Sequence, residues 1–204
     1  MFRLYTSTSK RKIFKILVLG DIGVGKTSLI KRFVSNHFQE EEFPQGTIGV
    51  NFFTKKLTLN NVDIFLSFWD FSGAHRFRPF IPDLFKGAHG GIFVFDPTCR
   101  TSLIDIEEFW IPAVEEKLNI TFKSNSRHPF VLVQNKTDVQ YIYGTEITDD
   151  DISEISSKYG LKFFDISVKD NKNIVKPIEF IVKRILKNMK KETQVSIKIF
   201  SKLL

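Results

Sequence analysis

The sequence contains one cysteine, Cys99, in 204 residues, and a single thiol excludes an internal disulfide. A chain without disulfides fits a reducing compartment, so we expect a cytoplasmic protein. The four histidines are scattered and form no ligand cluster with this cysteine, so the sequence indicates neither a metal-hydrolase site nor a thiol nucleophile. No apolar run approaches the roughly 18 residues that indicate a membrane-spanning helix.

The sequence has fewer acidic than basic residues, 23 against 30, and the net charge is +7. Much of the excess lies at the two ends, in residues 10–12 and between Lys183 and Lys202. The ordinary explanation is a charged surface that keeps the protein soluble. A sharper one is weak peripheral contact of the basic C-terminus with an anionic membrane. No aromatic–basic ladder or nucleic-acid motif accompanies the charge, so no nucleic-acid partner is expected.

Apolar runs rich in β-branched and aromatic residues alternate with helix-period segments. The helix-period segments are KTSLIKRFVSNHF (26–38), SLIDIEEFWIPAVEEKL (102–118, with a bend expected at Pro112), TDDDISEISSKYG (148–160) and KPIEFIVKRILKNMKK (176–191). The predicted strands are IFKILVLG (13–20), VNFFTKKLTL (50–59), VDIFLSFWD (62–70), GGIFVFD (90–96), PFVLVQNK (129–136) and LKFFDIS (161–167). The second and third strands are expected to form a hairpin through Asn60 and Asn61.

This alternation predicts an α/β fold, doubly wound, with a mostly parallel six-stranded sheet and about five helices. The strands are apolar on both faces, as a sheet covered by helices on both sides requires. We expect one domain over residues 12–191, an N-terminal tail over 1–11 and a basic, apolar C-terminal tail over 192–204.

The segment GDIGVGKT, residues 20–27, matches the pattern of a phosphate-binding loop between a strand and a helix. Glycines let successive backbone N–H groups turn towards phosphate oxygens, and the helix N-terminus adds a favourable partial charge. Lys26 can reach the β- and γ-phosphates, and Thr27 can bind Mg²⁺.

The segment NKTD, residues 135–138, follows a predicted strand and indicates which base is bound. A carboxylate such as that of Asp138 can accept two hydrogen bonds from guanine N1–H and N2–H₂, a pair that adenine does not offer. GTP or GDP with Mg²⁺ is therefore the expected ligand, and an ATPase of the same loop type is the disfavoured alternative.

With these two motifs in place, residues 13–190 resemble a Ras-superfamily small GTPase, which has the P-loop NTPase fold of a small G domain. Within that superfamily the chain is most similar to the Rab group. TIGVNF (47–52) is similar to the segment after the first switch of that group, and LFKGAHGGIFVFDPT (84–98) to the segment that follows its second switch.

The resemblance implies a role for each matching residue. Phosphate and nucleotide contacts fall to Asp21, Ile22, Gly23, Val24, Gly25, Lys26, Thr27 and Ser28. Guanine contacts fall to Asn135, Lys136 and Asp138, with support from Ser167, Val168 and Lys169 and stacking on Phe38. Mg²⁺ would be held by Thr27, Thr47 and, through water, Asp70. Catalysis would involve Lys26, Thr47 and Gly73, whose N–H would touch the γ-phosphate.

Two residues depart from the family pattern beside the expected γ-phosphate. Ala74 stands where a Gln usually orients the attacking water, and Ile22 stands where relatives have a small residue. We therefore expect slow GTP hydrolysis. His75, or a group supplied in trans by a partner, could replace the missing Gln. The alternative is a hydrolysis-deficient interaction module that stays GTP-bound and acts through residues 47–89.

Three further residues match positions that face partners in Rab-like proteins, namely Phe52, Trp69 and Leu84. They would contribute to a surface for effectors, exchange factors and GTPase-activating proteins in signalling or vesicle-traffic-like regulation. The ordinary alternative is that they pack between the hairpin and a helix. No cysteine follows Cys99, so prenylation at the end VSIKIFSKLL is not expected. The protein is expected to be a monomer.

Overall fold

The computed structural model of the chain describes residues 12–39, 46–59, 62–124, 127–139 and 144–203, with side chains to residue 189 except at 59 and 62. The expected N-terminal tail and the turn at Asn60 and Asn61 lie outside these residues, as do residues 40–45.

A six-stranded sheet forms the centre of the molecule, and its strand order is β2-β3-β1-β4-β5-β6. Only the β2–β3 pair is antiparallel. The predicted doubly wound α/β fold class is confirmed. The strands are β1 (Lys12–Leu19), β2 (Val50–Leu59), β3 (Val62–Phe71), β4 (Gly90–Phe95), β5 (Phe130–Gln134) and β6 (Lys162–Asp165).

Side chains of each strand alternate between two apolar layers, since successive residues point to opposite faces. In β1, Phe14, Ile16 and Val18 enter the layer that also contains Leu29 of the first helix. Leu17 and Leu19 enter the other layer, which is formed with the middle helices. Both faces of the sheet are thus covered, which explains why its strands read as nearly continuous apolar runs.

Helices flank both faces of the sheet. They are α1 (Lys26–Ser35), α2 (Arg100–Asp105), α3 (Ile111–Leu118), α4 (Asp149–Tyr159) and α5 (Val175–Leu203). The first helix is shorter than predicted because Asn36, with φ of 52°, takes the left-handed conformation that commonly ends helices.

The predicted helix 102–118 is interrupted in an informative place. A π-helical turn, Ile106–Trp110, separates α2 from α3, and Pro112 lies in the first turn of α3. Proline cannot donate to the carbonyl four residues earlier, so the hydrogen-bond pattern of the helix changes just before it. The expected bend at Pro112 thus takes the form of a wider turn.

The last helix continues to Leu203, so most of the segment 192–204, which was predicted as a tail, extends α5. This segment contains neither glycine nor proline, so no residue in it forces the helix to stop. The domain limit at 191 stays a prediction. Among the described residues, no helix combines the length and apolar character that crossing a membrane requires.

Five parallel strands place their carboxyl ends at one edge of the sheet, and the segments after β1, β3, β4, β5 and β6 meet there. In open α/β sheets, ligands bind in the crevice at this edge. The fold therefore brings together motifs that lie far apart in the sequence.

Candidate nucleotide site

A cavity of about 580 Å³ opens at the carboxyl edge of the sheet, within the range for small-molecule sites. Most of the predicted nucleotide residues form its wall. They are Ile22, Gly23, Gly25, Lys26, Thr27, Ser28, Phe38, Thr47, Gly73, Asn135, Lys136, Asp138, Val168 and Lys169. Other predicted residues lie behind or beside it, namely Asp21, Val24, Asp70, Ala74, His75 and Ser167.

The wall also includes residues that the motifs did not identify. These are Lys31, His37, Gln39, Gly46, Ser72 and Val139. Lys31 lies one turn after Thr27 on the same helix, so the helical period could have indicated it. His37, Gln39, Gly46 and Ser72 lie on loops, where the sequence carries no comparable periodic signal, and Val139 lies in a helical turn directly after Asp138.

The loop before α1 forms the phosphate end of the cavity. Gly25, with φ of 95°, precedes the helix, whose first turn has no capping side chain and no acidic residue. A Cβ atom at Gly25 would lie 2.3 Å from Nδ2 of Asn135, so glycine is required here by both backbone and space. The uncapped N–H groups of α1 leave the first turn suited to an anion.

Lys26 is buried at the base of this loop and folds back onto it. Its Nζ donates to the carbonyls of Gly20 at 2.9 Å and Asp21 at 2.6 Å. Burial lowers the pKa of Lys26 to about 8, although the carboxylates of Asp70, Asp21 and Asp105 oppose this shift. The amine is thus held beside the cavity by two carbonyls and can exchange them for anionic oxygens.

Three oxygen-bearing side chains converge beside Lys26. Oγ1 of Thr27 donates to Oδ2 of Asp70 at 2.6 Å, and Oγ1 of Thr47 lies 2.9 Å from that of Thr27 and 3.4 Å from the same carboxylate oxygen. Oδ1 of Asp70 is buried and has no hydrogen-bond partner among the described residues. Burial raises the pKa of Asp70 despite these hydrogen bonds.

This arrangement fits a divalent cation. Hydroxyl and carboxylate oxygens are the ligands that Mg²⁺ prefers, and a cation would satisfy the orphaned oxygen of Asp70 directly or through water. It would also hold that carboxylate ionised, against the effect of burial.

Asn135 connects the phosphate loop to the base end of the cavity. Its Nδ2 donates to the carbonyl of Val24 at 2.9 Å, and its Oδ1 accepts from the N–H of Val168 at 3.2 Å. The side chain is almost fully buried. Both ends of the amide are therefore occupied within the protein, so Asn135 fixes the two loops relative to each other.

Asp138 is oriented by Ser167. Oγ of the buried Ser167 donates to Oδ1 of Asp138 at 2.6 Å and accepts from the N–H of Asp170 at 3.0 Å. Ser167, one of the predicted supporting residues, thus holds the carboxylate of Asp138 without lining the cavity, whereas Asp138 itself does line it.

Lys136 takes a positive φ of 61° and pairs with Asp96, its Nζ lying 2.6 Å from Oδ2. Burial would raise the pKa of Asp96, but hydrogen bonds from Lys136 and Thr98 hold it below its usual value. The motifs did not identify Asp96, which follows β4 at the same edge of the sheet.

Phe38 is half-buried against α1 and lines the base end of the cavity. The Arg32 guanidinium lies 5.2 Å from the centre of its ring and also donates to the carbonyls of Val168 and Lys169, at 3.0 and 3.1 Å. Arg32 therefore joins the aromatic ring to the loop that supports Asp138.

Comparison with known proteins gives the same assignment as the geometry. Residues 15–187 match the Ras family. The chain is 31% identical to the Ras-related protein Rab-1 of Theileria annulata, over 85% of this chain and 74% of that protein. It is 35% identical to Rab-32A of Dictyostelium discoideum, over 86% and 79%, and 32% identical to RABC1 of Arabidopsis thaliana, over 85% and 77%.

The chain belongs to the Ras family of small GTPases. Its relatives are Rab-like, and members of this family bind GTP and GDP with Mg²⁺ and act as GTPase switches. The predicted family, fold and cofactors are confirmed. The roles of individual site residues stay predictions that the geometry above supports.

The γ-phosphate end of this small GTPase is crowded. Gly73 packs directly on the phosphate loop, since a Cβ atom there would lie 2.2 Å from the backbone nitrogen of Ile22. The side chain of Ile22 is 58% exposed and extends towards Gly46, where a Cβ atom would lie 3.5 Å from its Cδ1. Ala74 is half-buried and offers no polar side-chain group; its N–H donates to Oγ of Ser72 at 3.3 Å.

His75 is exposed and does not line the nucleotide cavity. Its imidazole lies instead near the carboxylates of Asp21 and Asp105. The structure therefore does not bring His75 to the place of the missing Gln.

Phe52, Trp69 and Leu84 are brought together on one surface. Phe52 is 58% exposed and Leu84 is 39% exposed, whereas Trp69 is half-buried. The rings of Phe52 and Trp69 meet edge to face at 4.6 Å. Nζ of Lys15 lies 3.4 Å from the centre of the Trp69 ring and donates to the carbonyl of Leu84 at 2.6 Å, so Lys15 connects the two.

Proposed function

We propose that this small GTPase is a switch in membrane traffic or signalling whose GTP-bound state is long-lived because hydrolysis is slow. The observation that carries the proposal is the pair of apolar side chains beside Gly73. Ala74 has no group that can orient water, and the exposed Ile22 extends across the same end of the cavity.

Phosphoryl transfer depends mainly on positioning and electrostatic stabilisation, so a lost positioning group slows hydrolysis without preventing nucleotide binding. One such group is typically worth on the order of 10²-fold in rate. The phosphate loop, Lys26 and the oxygens of Thr27, Thr47 and Asp70 lie together at this end of the cavity, and this arrangement supports retained binding of GTP.

Single-turnover hydrolysis of bound GTP tests this proposal in the wild type, Ala74→Gln and Ile22→Ser. We expect both substitutions to accelerate hydrolysis, with Ala74→Gln approaching 10²-fold. Phe80→Ser, an exposed change in the same switch segment, is the matched control and should leave the rate unchanged. If neither substitution accelerates hydrolysis, the two departures do not limit the chemistry.

The exposed apolar surface favours a second candidate function, a GTP-bound interaction module with almost no turnover. Ile48, at 77% exposure, is a further large apolar side chain exposed within residues 47–89. Comparison of the hydrolysis rate with the GTP dissociation rate separates the two functions. A switch hydrolyses faster than it releases GTP, whereas an interaction module releases GTP first.

Weak peripheral membrane contact through the basic C-terminus remains part of the proposal, and the helical course of residues 192–203 supports it. Flotation with anionic vesicles, with and without residues 192–204, tests it. Binding should require these residues and weaken with salt; absence of binding by the full chain removes the idea.

A further inference from the structure

Three ligand-type side chains converge outside the nucleotide cavity. Asp21 follows β1 in the phosphate loop, His75 begins a 3₁₀ turn after Gly73, and Asp105 ends α2. One ligand atom from each lies within 4.8 Å of the other two. None of the three lines the nucleotide cavity, and none belongs to the oxygen cluster of Thr27, Thr47 and Asp70.

The three groups approach one another without touching. Among the described residues, no hydrogen bond or ion pair joins the His75 imidazole to either carboxylate. A point equidistant from three atoms 4.8 Å apart lies about 2.8 Å from each, and a Zn²⁺ site needs about 2.0–2.2 Å. Closure by at most about 0.6–0.8 Å per ligand would therefore complete the ligand triangle.

Each carboxylate has an oxygen to spare. Oδ1 of Asp21 accepts from the N–H of Ile22 at 2.6 Å, and Oδ2 of Asp105 pairs with Arg78. A carboxylate can bind a second partner through its other oxygen. Arg78 pairs with Asp105, and the buried ammonium of Lys26 also interacts electrostatically with both carboxylates, so a metal ion would be held here by its ligand atoms and not by a surplus of negative charge.

The ligand set decides which cation fits. One imidazole nitrogen and two carboxylate oxygens suit Zn²⁺ or a similar first-row transition ion, whereas Mg²⁺ prefers oxygen ligands only. We propose that Asp21, His75 and Asp105 bind a divalent transition-metal ion, with Zn²⁺ as the best match, separately from the Mg²⁺ of the nucleotide.

Such an ion would join three elements, namely the phosphate loop, the segment after Gly73 and the end of α2. Because switch segments of GTPases change their order with the bound nucleotide, a metal ion that binds one arrangement of the segment after Gly73 would favour that arrangement. Zn²⁺ affinity is therefore expected to differ between the GDP-bound protein and the protein loaded with a non-hydrolysable GTP analogue.

Calorimetric titration of Zn²⁺ into the full chain, loaded with GDP and kept in excess Mg²⁺, tests the site. We expect one Zn²⁺ per chain, with binding weakened at least tenfold by His75→Ala and by Asp105→Asn. His75 is exposed, so His75→Ala should remain folded, as thermal unfolding can verify. His128→Ala, a histidine packed on Phe122 elsewhere, is the matched control and should bind normally.

Absence of Zn²⁺ binding would overturn the proposal. So would equal affinity in His75→Ala and the wild type, or an equal loss in His128→Ala. Co²⁺ absorption provides a second readout, since an imidazole–carboxylate site gives visible bands that should be lost in His75→Ala. Neither measurement depends on the hydrolysis rate, so a failure here leaves the proposed slow switch untouched.

Discussion

At the scale of single residues, the nucleotide cavity depends on side chains that also hold the protein together. Asn135 bonds two loops through both ends of its amide. Ser167 orients Asp138 from a fully buried position. These contacts orient the carboxylate that is predicted to bind the base before any ligand arrives, which lowers the ordering cost of binding.

Asp138→Asn should change base specificity. The carboxylate is predicted to accept two hydrogen bonds from guanine, and loss of charge-assisted bonds of this kind costs about 3 kcal/mol, or roughly 100-fold in GTP affinity. Xanthine offers an acceptor where guanine offers an amine, so the amide of the variant should bind XTP better than the wild type does. Competition binding with GTP, XTP and ATP measures this.

Asp150→Asn, an exposed change in α4, is the control and should keep wild-type preference. Equal GTP affinity in Asp138→Asn and the wild type would contradict the assignment of the base-binding residue.

The lowered pKa of Lys26 leads us to expect that the stability of the nucleotide-free protein depends on pH. Its folded pKa is about 8, below the ordinary 10.5, so between these values the unfolded chain binds more protons than the folded one. Stability should therefore rise with pH in this window, by about 2 kcal/mol from pH 7 to 9.5. Urea unfolding of the wild type against Lys26→Met measures the difference, and parallel pH profiles would contradict it.

At the scale of elements, the N-termini of α1 and α4 differ in whether a side chain caps their free N–H groups. The first turn of α1 leaves its N–H groups uncapped beside the cavity. By contrast, α4 begins with a complete capping box, in which Oγ1 of Thr148 accepts from the N–H of Asp151 at 3.2 Å and Asp151 accepts from the N–H of Thr148 at 2.8 Å. The capping box stabilises the first turn of α4, whereas the free N–H groups in the first turn of α1 can bind an anion.

Thr148→Ala should lower the free energy of unfolding by about 1 kcal/mol, the usual worth of an N-cap. Glu154→Ala, an exposed substitution in the middle of the same helix, should change it little. Chemical denaturation of the GDP-bound protein compares the two. Similar values for both variants would show that the capping box contributes nothing.

At the scale of the whole molecule, the sheet edge assembles a site from five separate segments. Because the site is complete only in the folded state, its ligand should stabilise the fold. Because Oδ1 of Asp70 is buried without a hydrogen-bond partner among the described residues, we expect this stabilisation to depend on a divalent cation.

GDP with Mg²⁺ at 100 times its dissociation constant should therefore add about 2.7 kcal/mol of stability, several degrees in the unfolding midpoint. ADP with Mg²⁺ should add much less, and removal of Mg²⁺ should reduce the gain from GDP. Thermal unfolding under these conditions measures the effect; equal stabilisation by ADP and GDP would contradict guanine selectivity.

The sequence by itself determined the family, the sheet and the two nucleotide motifs, because strand periodicity and the loop residues are local signals. The break in the helix over 102–118 was also predicted, because Pro112 is a local signal. The contacts of Asn135 were decided only by tertiary structure. The same holds for His75, whose position in the chain suggested catalysis but whose neighbours are Asp21 and Asp105. Sequence spacing reveals which residues follow one another, whereas proximity across elements depends on how strands and helices pack.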